Sequence, residues 1–108
     1  MKDVCFCDET FEILVEAEVS ADPIWCNKCK ANLDLDELPI SEELKAELYE
    51  WNSTFSNHLA SHNYNGITQS FSEWLNASGE NLTKKLSAEL TNTYVIQYHP
   101  YESIIKEK

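Results

Sequence analysis

Four cysteines fall into two close pairs, Cys5-X-Cys7 and Cys26-X2-Cys29, and no fifth is left over. This spacing constrains the chain more than any other feature. A structural zinc takes four ligands in a tetrahedron, and two short chelating arms supply them when the chain between folds back. The segment between them suits that role. In "TFEILVEAEV", residues 10–19, Phe11, Ile13, Val15, Ala17 and Val19 alternate with Glu12, Glu16 and Glu18. Strict alternation marks a half-buried strand. Leu14 interrupts the polar side, so that face is partly covered. "SADP" follows, and Pro23 keeps Asp22 out of the helical region. The expected site is therefore one structural zinc held by Cys5, Cys7, Cys26 and Cys29, with rubredoxin-like iron as its variant. Lys2, Lys28 and Lys30 flank these positions and offset part of the formal charge of a four-thiolate site. Four thiolates close the tetrahedron, so the metal is structural rather than catalytic. The competing readings are four ordinary thiols, or a redox pair at Cys26 and Cys29. A redox C-X2-C usually opens a helix, and "KANLDLDELP" does not read as one.

Downstream the period changes. Ser41 is a suitable N-cap before Glu42 and Glu43. Leu44, Leu48, Trp51, Phe55 and Leu59 then recur on one face of a helix running to about His62. "HNYNG" ends it, with Gly66 free to take positive φ. Phe71, Leu75, Leu82, Leu86 and Leu90 form a second stripe with Trp74 beside it. Ser78 takes a stripe position and Gly79 follows, so either one helix spans about 70–91 or two shorter ones meet there. "YVIQY", 94–98, reads as a strand, and the tail "ESIIKEK" as a short helix or a frayed end. At 108 residues the chain fits a single α+β domain: a zinc-binding hairpin region over 1–39, a helical region over 40–91 and a strand over 94–98. The expected architecture is a small sheet with both helices packed on one face.

Charge narrows the partner. The formal net charge is -11. Residues 1–50 hold 14 acids and 4 lysines, and residues 51–108 hold 5 acids and 4 lysines, balances of -10 and -1. There is no arginine. Binding nucleic acid directly needs a basic face, and an anionic membrane repels an acidic one. The expected partner is another protein, a basic one being favoured by this charge, with Glu12, Glu16 and Glu18 as its contact surface. No apolar stretch reads as a secretory signal or a membrane span, which implies a cytoplasmic location and reduced thiols.

His58 and His62 form H-X3-H, but "HLASH" lacks the glutamate of the metalloprotease motif, which favours a capping role. With Gly66 and Gly79 as the only glycines no phosphate loop forms, and no nucleophile sits in a recognisable setting.

The cysteine arrangement over residues 5–32 resembles zinc ribbons. It departs from them in its C-X-C arm and in having Lys30 and Ala31 where a glycine commonly follows the knuckle. "PIWCNKC", "ELPIS" and "GENLTKKLSAEL" together resemble a set of small uncharacterised bacterial proteins, which implies no activity. The expected function is a non-enzymatic, zinc-stabilised, acidic protein-interaction or regulatory domain. Its alternatives are a small thiol redox protein and an acidic inhibitor or immunity-type protein that mimics nucleic acid.

Overall fold

The computed structural model describes residues 12–19, 21–90, 94–102 and 104. Cys5, Cys7, Phe11 and most of the tail lie outside the described residues. The alternating segment forms β1, Glu12–Val15, shorter than its pattern. Ile13 and Val15 are buried while Glu12 and Leu14 are half-exposed, as the alternation requires. β2, Ile24–Cys26, returns antiparallel to β1 and places Cys26 opposite Ile13 and Ile24 opposite Val15. β3, Val95–Tyr98, pairs with the other edge of β1 in parallel, Ile13 opposite Ile96. The sheet order is β2-β1-β3.

"LDLDELP" holds one turn of 3₁₀ helix, Leu35–Glu37. Asp34 accepts from the Asp36 amide at 3.0 Å and Asp22 from the Leu35 amide at 2.9 Å, and this turn buries Leu35 completely. Such short side-chain-to-backbone bonds give a compact turn rather than a long helix.

Helix α1 spans Glu42–Ser61 and helix α2 Gln69–Leu90. Ser41 caps α1, its hydroxyl oxygen accepting from the Leu44 amide at 3.1 Å. The same hydroxyl and the Ser41 amide donate to Glu89 near the end of α2, which ties the two helices together. All five stripe residues of α1 are buried. The helix stops through Asn63 and Tyr64, both in the left-handed region at φ 55° and 61°. The Tyr64 amide donates to the Leu59 carbonyl at 2.9 Å, so the strained turn satisfies a helix-end acceptor.

α2 is continuous through Ser78 and Gly79. Its weak centre has a packing cause: a Cβ at Gly79 would collide with the ring of Tyr98 on β3. Tyr98 also meets Trp51 edge-on at 6.0 Å and donates its hydroxyl to Asn76 at 2.6 Å. Burial, with Glu80 and Glu16 nearby, holds this hydroxyl protonated far above its ordinary range. In the tail, Ile104 forms an isolated bridge with Ile67 instead of a described helix. The architecture is α+β, a three-stranded sheet with two helices against one face. Among the described residues no helix is long and apolar enough to cross a membrane.

Candidate functional site

Glu12 lies on β1, and Glu16 and Glu18, the other expected contact residues, follow it. Glu12 and Glu16 face away from Ile13 and Val15, but both have a side-chain partner. Glu12 is 3.5 Å from Lys28, and Glu16 is 2.7 Å from His99. Glu18 lies past the ladder and accepts from the Val19 amide at 2.9 Å, while its own amide donates to Asn52. The outer sheet face is therefore mixed in charge. Beside it a cleft of about 640 Å³ runs between β3 and α2, where Lys30, Lys84 and His99 stand with Glu80 and Leu14.

Of the four expected metal ligands, Cys26 is buried and Cys29 exposed, and Cys5 and Cys7 lie outside the described residues. The turn between the two described cysteines is tight. The Lys30 amide donates to the Cys26 carbonyl at 2.8 Å and the Cys26 amide to Ala31 at 2.9 Å. Lys30 takes φ 67°, a left-handed conformation at the position where a zinc knuckle commonly has glycine. Among the described residues no three His, Cys, Asp or Glu side chains gather as a metal group.

His58 and His62 hold the connection between the helices. Nε2 of His58 accepts from the Thr68 amide at 3.2 Å, and Thr68 in turn accepts from the Phe71 amide at α2's first turn. The His58 ring stacks on Phe71 at 3.8 Å and 3°. Burial first, and the neighbouring His62 second, push His58 below its ordinary pKa. It therefore serves as a neutral acceptor here, not as the cation a helix C-terminus would favour.

Acids also gather near the start of α1. Burial, then the charges of Asp22, Asp36 and Asp34, raise the pKa of the Tyr49 hydroxyl. On α2, Trp74 is 44% exposed. Its place just off the α2 stripe was the sequence signal for this, yet the stripe alone does not tell a rim residue from a solvated one.

A family model described as Serratia CdiI immunity protein-like matches residues 11–101, and the chain belongs to that family. No curated protein matches it. The matched span starts after Cys5 and Cys7, so it is carried by the sheet-and-hairpin body rather than by the first cysteine pair.

Proposed function

We propose that this chain is an immunity protein, a non-enzymatic inhibitor that works by binding a toxin polypeptide in the cytoplasm. The family match over residues 11–101 carries the reading. It favours the immunity-type alternative over a general zinc-stabilised interaction domain. The charge of -11 with no arginine supports a basic partner, and an acidic surface can occupy a site that otherwise receives nucleic acid. Glu12, Glu16 and Glu18 remain proposed contacts on the sheet side. The test begins with proteins recovered on the tagged chain from its source cells. One of them should arrest growth when expressed alone, and co-expression of this chain should restore growth. Recovery of only harmless proteins, or arrest that persists on co-expression, overturns the reading.

Structural zinc at Cys5, Cys7, Cys26 and Cys29 is a second and separate proposal. The two paired spacings motivate it, and the tight turn from Cys26 to Ala31 keeps the second pair on one short loop. Elemental analysis of protein purified without added metal should find about one zinc per chain, the stoichiometry of a four-cysteine site. Metal-free protein with four reactive thiols overturns it.

A further inference from the structure

We propose that the groove between α1 and α2, on the side away from the sheet, is a seat for an arginine or lysine side chain of the toxin. The proposal rests on the immunity reading for the identity of the partner. The groove measures about 230 Å³, and its floor carries the buried Trp51 and Leu82. Trp74 forms the rim, with Glu47 and Glu50 among the α1 side chains across from it. An apolar floor, an exposed indole and carboxylates within one groove match the two parts of a long cationic side chain. The methylene stem packs on apolar surface, and the charged head takes an aromatic face and a carboxylate.

The two carboxylates differ in availability. Lys85 holds Glu47 at 3.1 Å from across the groove. Glu50 is exposed and has no ion pair among the described residues. An incoming guanidinium therefore meets one unneutralised carboxylate without displacing an existing bond. On the sheet side, by contrast, Glu12 already has Lys28 as a partner and Glu16 has the His99 ring. Trp74 is also pre-positioned. Its ring lies 5.2 Å from Phe71, which stacks on His58, so the indole is held by a ladder reaching back to α1. An anchor already ordered loses little side-chain entropy on binding. The other two tryptophan indoles donate inside the fold, Trp25 to Glu16 and Trp51 to Leu75.

A tri-arginine amide serves as the probe, with a tri-glutamate amide as its control, titrated into the isotope-labelled full chain and followed on the backbone amide and the three indole N–H resonances. Saturable movement of the Trp74 indole with tri-arginine, and none with tri-glutamate, is the expected result. Trp74→Ala and Glu50→Lys should each weaken this binding about fivefold to tenfold, the scale of one cation–π or charge contact. Shifts centred on Glu12, Glu16 and Glu18 with Trp74 still, or affinity unchanged in both variants, overturn the proposal. Both substitutions lie on exposed positions, so their spectra also report that the fold is kept. A growth assay separates the two readings. Toxin protection that survives in the Trp74→Ala, Glu50→Lys double variant overturns the groove and leaves the immunity reading standing. If the wild-type chain protects against no co-purified toxin while tri-arginine still seats at Trp74, the immunity reading fails and the cation seat stands.

Discussion

The helical hairpin and the sheet reach a shared core by different routes. α1 and α2 are 20 and 22 residues long, follow one another in the chain and carry their apolar stripes within themselves. The three strands have four, three and four residues, and β1 finds its parallel partner only when Val95 arrives opposite Glu12. Strands this short are not stable alone, and a parallel pair needs a long crossover. Here the connection holds β2, the 3₁₀ turn and both helices. The hairpin is locally specified, whereas the sheet depends on distant closure. The difference teaches where stability is separable. Loss of a brace near the cysteines should loosen the sheet first, and loss of the hairpin core should take everything.

The largest effect tests that brace. A structural zinc contributes on the order of 10 kcal/mol in small domains, comparable to the whole stability of a chain this size. If the proposed site forms, Cys26→Ser or a strong chelator should raise amide exchange over residues 1 to about 35, the stretch containing all four cysteines, while Leu48, Phe55 and Leu86 amides keep more protection. Uniform exchange along the chain, or none beyond the untreated protein, breaks the comparison on this side. Next comes the hairpin core. Phe55 is 1% exposed and meets Tyr101 edge-on at 4.9 Å. Phe55→Ala should cost about 3–5 kcal/mol through lost transfer energy and a cavity. Its denaturation should take sheet and helices together, which circular dichroism and tryptophan fluorescence would report as coincident transitions.

Gly79→Ala sharpens the boundary between the two regions. In an isolated helix the change stabilises by roughly 1 kcal/mol. Here the new methyl group meets the Tyr98 ring, which is held by Trp51 and Asn76. Overpacking of this kind costs roughly 1–3 kcal/mol, so the net sign should be destabilising. Pairing it with Tyr98→Ala removes the obstacle, and the glycine change should then become neutral or favourable. A destabilisation that persists in the double variant would place the obstacle elsewhere than the tyrosine ring.

The hairpin was legible in the sequence because its signals are local. The stripe from Leu44 to Leu59, the cap at Ser41 and the second stripe from Leu75 to Leu90 each lie within a few turns of the residues they specify. β2 was not assigned, since three residues carry no period, and the antiparallel partner of Ile24 is set by contacts rather than by pattern. Gly79 left open one helix or two, because the reason for the glycine sits on β3, almost twenty residues on. The parallel pairing of β1 with β3 was invisible for the same reason. For the candidate surface, alternation correctly turned Glu12 and Glu16 away from the core. It said nothing of Lys28 and His99, which reach them from just past β2 and β3, nor of the groove under Trp74, which needs both helices to exist.

The smallest predicted effect concerns the joint between the helices. His58 accepts from the Thr68 amide, a bond available only while Nε2 is unprotonated. The groups facing it are His62, with ring centroids 4.4 Å apart, and Phe71. Its folded pKa is lowered by burial and by His62, so the folded state binds a proton less readily than the unfolded state. Above the unfolded value of about 6.5 both states are neutral and the contribution is fully present. As pH falls through that value the unfolded chain takes up the proton first, and stability is lost until the folded pKa is passed. The midpoint of urea unfolding should therefore drop from neutral pH toward mild acid. His58→Gln, which keeps a carbonyl acceptor within the same helix but cannot titrate, should flatten that part of the profile. His62→Gln should flatten it only in part, since burial of His58 is the larger cause. An unchanged slope in His58→Gln would assign the acid sensitivity to the carboxylates.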